Sequence, residues 1–173
     1  READRLLAEA RSLRDTQPAR LAELARLERT LSEDPSEAFR RWRAQLPARV
    51  AHDELARRLA EARRMAEQSE IERSAVTSEL AAVVARPAAL TEELAKQRQD
   101  VDRLRALVLP GGTDTIDRVA ALGSSAAQRL AAARVLQLEA EQTQLPEQRR
   151  LLELRQRVLQ RETELNAREI DVL

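Results

Sequence analysis

The sequence predicts an all-α fold, an elongated antiparallel coiled-coil or helical bundle. Three observations carry this. Ala, Leu and Arg make up about half of the 173 residues, 35% of the chain is charged, and apolar residues recur at alternating spacings of three and four. Glycine occurs only at 111, 112 and 123, and Phe39 and Trp42 are the only aromatic residues. A compact aromatic core is therefore not expected, and no run of alternating β-branched residues argues for a sheet.

A first helix is expected over 1–33, with the stripe Leu6, Ala10, Leu13, Gln17, Arg20, Leu24, Leu27 and Leu31 keeping phase around Pro18. Asp34-Pro35-Ser36-Glu37 then supplies an N-cap, a proline at the first helical position and an acidic residue at the third, starting a short helix over 36–45. Phe39, Trp42, Leu46 and Val50 fall out of phase with the stripe that follows, so the chain is expected to break near Pro47.

A long helix over 48–109 carries the stripe Leu55, Leu59, Ala62, Ala66, Ser69, Arg73, Val76, Leu80, Val83, Pro87, Leu90, Leu94, Gln97, Val101 and Leu104, which crosses Pro87 in phase. Leu109-Pro110-Gly111-Gly112-Thr113-Asp114 ends it and caps a return helix over 115–173. On that return helix the walk Gly123, Ala126, Leu130, Ala133, Gln137, Ala140, Gln144, Glu147, Leu151, Leu154, Val158, Arg161 and Leu165 passes Pro146 in phase. Kinks are thus favoured over turns at Pro18, Pro87 and Pro146; were they turns, the same segments would form a shorter bundle of about six helices.

These elements draw a long αα-hairpin whose arms would each be roughly 90 Å long at the α-helical rise. Helix 1–33 is expected to double back at Asp34-Pro35 and pack on the hairpin base near residues 48–66. The pairs Leu151/Leu152, Val158/Leu159 and Val172/Leu173 suit a broad buried face that meets two neighbours, and Ala62, Ala66, Ser69, Ala126 and Ala133 would permit close helix approach. The whole reads as one elongated domain over 1–173.

Thirty basic and thirty acidic residues are interspersed, so the long-range field that gathers nucleic acid or anionic lipid is expected to be weak. Zero cysteines exclude disulfides and thiolate metal sites. His52 is the only histidine, and it reads as a surface or interface residue. Glu92, Glu93, Glu139 and Glu141 read as solvated i, i+4 partners of neighbouring cations rather than acid–base catalysts. Gly111-Gly112-Thr113-Asp114 lacks the lysine and preceding strand of a phosphate loop and reads as a turn. Phe39 and Trp42, with Leu46, read as a plug at the bundle base in preference to a binding anchor. Arg40-Arg41 and Arg149-Arg150 read as solvated, with Arg149-Arg150 placed to meet a partner carboxylate. No catalytic, cofactor-binding or metal-binding residue is expected, and no cofactor.

No apolar run is long enough to span a bilayer, so direct membrane insertion is not expected. Both ends lie inside helical pattern, and the sequence reads as a soluble piece of something longer.

The segment Leu13 to Leu31 around Pro18, Leu46-Pro47-Ala48-Arg49-Val50 with Asp53-Glu54-Leu55, Arg86-Pro87 followed by Leu90, Leu94, Leu104 and Leu107, and Leu151-Leu152-Glu153-Leu154-Arg155-Gln156 to Leu165 cover most of the chain. In these features it resembles the N-terminal helical region, often termed the porin domain, of the large MscS-type mechanosensitive channels of Gram-negative bacteria, the potassium-efflux branch included. The resemblance implies a periplasmic segment of an inner-membrane protein, partnered by the rest of the channel and oligomeric through it, with no catalytic residues to transfer. A soluble coiled-coil scaffold or adaptor is the alternative. The hairpin of a tripartite-efflux adaptor fits less well, because no β segments flank the helices.

Overall fold

The computed structural model describes residues 1–46, 51–106 and 115–173, with side chains left aside over 115–120. Every element among them is a helix: α1 (Glu2–Asp15), α2 (Gln17–Ser32), α3 (Pro35–Ala44), α4 (His52–Ala106) and α5 (Thr115–Val172). The protein is an all-α helical bundle. The expected break at Pro47 and the Gly111-Gly112 turn lie outside the described residues.

The boundaries follow from local chemistry. Helix 1–33 is in fact two helices. Pro18 has no N–H to give the Arg14 carbonyl, so α1 stops at Asp15 and Pro18 becomes the second residue of α2, where its missing donor costs nothing. Thr16 closes α1, its hydroxyl donating to the Leu13 carbonyl at 2.9 Å. Asp34 caps α3 through its carboxylate, which accepts from the Ser36 N–H at 2.8 Å. Pro87 and Pro146 both lie inside continuous helices.

The helices contribute to two compact units. One comprises residues 1–19 and 83–147, the other 20–82 and 148–173.

In the first unit, residues 83–106 of α4 run antiparallel to residues 115–147 of α5, with Gln128 donating to the Leu104 carbonyl and Arg86 reaching Glu141. Leu90, Leu94, Leu138 and Leu145 form its core, flanked by Val83 and Val135. Leu90 and Leu138 are fully buried, each contributing about 2–3 kcal/mol of hydrophobic stabilisation. α1 lies parallel to α5, because Glu9 and Leu13 bond in turn to Gln137 and Gln144, and Gln17 at the start of α2 continues the sequence to Glu147. The expected place for this helix, beside residues 48–66, is therefore wrong for α1, which belongs with residues 83–147. α1 buries Leu6 and Ala10 in this unit, and Gln137 and Gln144 of α5 offer it polar partners at seven-residue spacing.

In the second unit, residues 52–82 of α4 run alongside residues 148–172 of α5, with α2 and α3 completing it. Leu24 and Leu27 of α2, Ala62, Ser69 and Val76 of α4, and Leu152, Val158 and Leu159 of α5 are its buried positions. The α2 end is fastened by Arg161, which donates to the Thr30 and Leu31 carbonyls, last-turn acceptors a helix leaves unpaired, and to the Glu33 carbonyl just beyond them.

The heptad walk on α4 matches burial at every described position except Pro87, which is exposed while Arg86 beside it is half-buried. On α5 two stripes run side by side. Ala131, Leu138, Leu145, Leu152 and Leu159 repeat every seven residues, all buried, and in the first unit Leu138 and Leu145 meet α4. The adjacent stripe through Gln137, Gln144, Glu147 and Arg161 meets α1 in the first unit and α2 in the second. Of the small residues, Ala62, Ser69 and Ala133 are buried as close approach requires, whereas Ala126 is exposed.

Candidate interaction surface

The residues singled out in the sequence do not converge on one place. His52 sits exposed at the start of α4, with Asp53 beside it at 3.9 Å. Gly111 to Asp114 lie outside the described residues. Arg40 reaches Asp34 at 3.8 Å, Arg149 pairs with Glu153 one turn on at 2.8 Å, and Arg150 meets Glu28 of α2. Arg150 thus finds its carboxylate within the chain.

The acidic residues behave differently from the i, i+4 pattern expected of them. Glu139 pairs across to Arg98 of α4 at 2.8 Å, and Glu141 across to Arg86. Glu93 pairs with Arg86 two turns earlier on its own helix, at 2.7 Å. Arg86 thus holds two carboxylates, each through two of its nitrogens, at 2.6 and 3.1 Å to Glu141 and at 2.7 and 3.1 Å to Glu93. The hydrogen bonds that Arg86 donates to Glu141 and then to Glu93 raise its pKa further, and Arg86 in turn holds the Glu93 carboxyl below the usual carboxylate range. That is the reverse of a general acid. A planar fork matched to two carboxylates is a task for Arg and not for Lys. Sequence reasoning missed this clamp, although Arg86, Glu93 and Asp100 recur every seven residues beside the apolar stripe and are all half-buried.

In the second unit, Phe39 and Trp42 stack at 5.6 Å between ring centroids, but both are only half-buried, and α3 has no buried residue. They do not plug a base. Trp42 instead walls a groove of about 430 Å³ whose other apolar surface comes from Ala62, Met65 and Leu173. Glu54 is neutralised there by Arg58 at 2.9 Å, leaving Glu61 and Glu169 to make the rim acidic. Burial pushes the Glu169 carboxyl up. On the same unit Glu162, though an exposed residue as a whole, has its carboxyl raised by partial loss of hydration and secondarily by the like charge of Glu72.

Among the described residues, the large apolar side chains left exposed are Leu21, Met65, Ile71, Val84, Leu122, Leu136 and Val172. Leu136 borders a shallow groove with Val101, Ala132 and Val135, edged by Arg98, Asp102 and Arg105. Among the described residues no three His, Asp or Glu side chains gather closely enough to hold a metal ion, and no described helix is long and apolar enough to cross a membrane. No protein-family model, curated protein or solved structure matches this chain.

Proposed function

We propose that this chain is a non-catalytic, periplasmic, extramembrane helical domain of a mechanosensitive ion channel of the large MscS type, modulating gating or contacting envelope components. The observation that supports the reading is the coincidence of two sets of residues. Arg86, Leu90 and Leu94 carry the resemblance in the middle of the sequence, and the same three hold α4 to α5, Arg86 as the double carboxylate clamp and the leucines as the core. The bundle works as a mechanical element. It shifts a closed–open equilibrium only through contacts that differ between the two states, since a contact of equal strength in both shifts nothing. Its partners are the rest of the channel, with oligomerisation through the pore-forming parts. The balanced charge disfavours nucleic acid.

The test is fractionation of the full-length product from its native host, followed by protease treatment of spheroplasts with detection of this segment. Sedimentation with the inner membrane and cleavage from outside are expected. A product that stays in the soluble cytoplasmic fraction overturns the channel reading in favour of a coiled-coil scaffold, whose partners a pull-down would seek.

A further inference from the structure

The first unit joins its three helices by two unequal seams, and from this inequality we propose that α1 is a strap that opens from α5 as a unit, hinged at Thr16, while the α4–α5 pairing stays closed. The proposal is independent of the channel reading. Three observations carry it.

The α4–α5 seam is apolar, closed by Leu90, Leu94, Leu138 and Leu145 and clamped by Arg86. The α1 seam is thinner. α1 has two buried side chains, Leu6 and Ala10, and the residues of α5 that bond to it are polar: Gln137 donates to Glu9 at 2.9 Å and Gln144 to the Leu13 carbonyl, while the 3.0 Å bond from Gln17 to Glu147 lies beyond Thr16, on α2. Hydrogen bonds of this kind are exchanged for bonds to water on opening at little net cost, whereas apolar burial is not.

An open groove of about 530 Å³ runs along this end of the seam, bordered by Glu2 and Leu6 on α1, Leu104 on α4, and Leu130, Ala131 and Arg134 on α5. Solvent therefore already reaches the edge of the α1 seam here, and Leu6 is the side chain that α1 buries beside it.

Finally, α1 is not continuous with α2. The ladder stops at Asp15, and Thr16 stands between the helices with φ −79° and ψ −10°. Motion of α1 therefore has to break no α2 hydrogen bond beyond those at the junction. A helix of 14 residues is also marginal alone, so α1 is helical because it is docked, and undocking and unwinding are coupled. Opening uncovers the Gln137–Gln144 face of α5, changing which surface the unit presents.

Hydrogen–deuterium exchange of the intact chain, resolved by peptide, tests this. Amides over 2–15 are expected to exchange together, at least about tenfold faster than those of 83–106 and 130–145, with the step falling at residue 16. Leu6→Ala should speed exchange over the whole of 2–15 and leave 83–106 unchanged. Protection of α1 equal to that of 83–106 overturns the proposal, because α1 would then open only with global unfolding. A gradient confined to the first turn overturns it as well, being end fraying.

Discussion

Arg86 donates to Glu141 across 55 residues of sequence at 2.6 Å, and the pair ties α4 to α5 at the edge of the Leu90–Leu94–Leu138–Leu145 core. Because the guanidinium is partly exposed, solvent screens the pair, and its worth is well below that of a dry ion pair. Arg86→Ala is expected to lower the unfolding free energy by about 1 kcal/mol, and Arg86→Lys to recover only part of it, because an ammonium cannot fork onto two carboxylates. Urea titration of the three proteins measures this. Equal stability of Arg86→Ala and the parent would show that the clamp is energetically idle.

The core leucines should matter far more. Leu90→Ala or Leu138→Ala opens a cavity where the side chain is fully buried, with an expected loss of about 3 kcal/mol. Leu122→Ala, at a 70% exposed position, is the control and should change stability by less than about 0.5 kcal/mol. Thermal and urea unfolding of the three variants would check the ranking.

Pro87 lies inside α4 on the exposed side, so it removes a ladder hydrogen bond without packing into the core. Pro87→Ala is expected to raise stability by roughly 1–3 kcal/mol. A loss of stability would mean that the proline's distortion of α4 is needed for the fit against α5.

Acidification should act in two opposed stages. Glu162 and Glu169 have folded-state pKa values above the ordinary glutamate value of 4.5, so their ionised forms oppose folding at neutral pH. As pH falls through those raised values the folded state takes up protons ahead of the unfolded chain, and these two groups cease to oppose folding. Glu93 is the reverse: its folded pKa is depressed by Arg86, its stabilisation is present above the unfolded value, and it is lost as pH falls through the folded one. Melting temperature against pH should therefore show a mildly acidic gain that Glu162→Gln diminishes, then a loss below 4.5 that Glu93→Gln diminishes.

Much of this architecture was legible in the sequence because heptad spacing, helix propensity and capping are local. The 3-4 walk along α4 found the buried face, and Asp34-Pro35-Ser36 holds the residues that cap α3. Of the doubled apolar positions of α5, Val158 and Leu159 are both buried and Leu152 is buried beside a half-buried Leu151, as a helix with two neighbours requires, whereas Val172 is exposed. The candidate surfaces were less legible. Phe39 and Trp42 looked like core simply because they are the aromatic residues, yet their place is the wall of a groove.

What the sequence by itself determined was the all-α class and which face of α4 is apolar, since both depend on residues within a few turns of one another. Only the tertiary structure decided that α1 joins residues 83–147, that Arg86 finds Glu141, and that one α5 stripe serves α4 while its neighbour serves α1 and α2. The physical reason is that an apolar stripe states only that a face must be covered. Which helix covers it, and at what axial offset, depends on side-chain fit summed over long seams, where a shift of one heptad preserves the pattern but exchanges every partner.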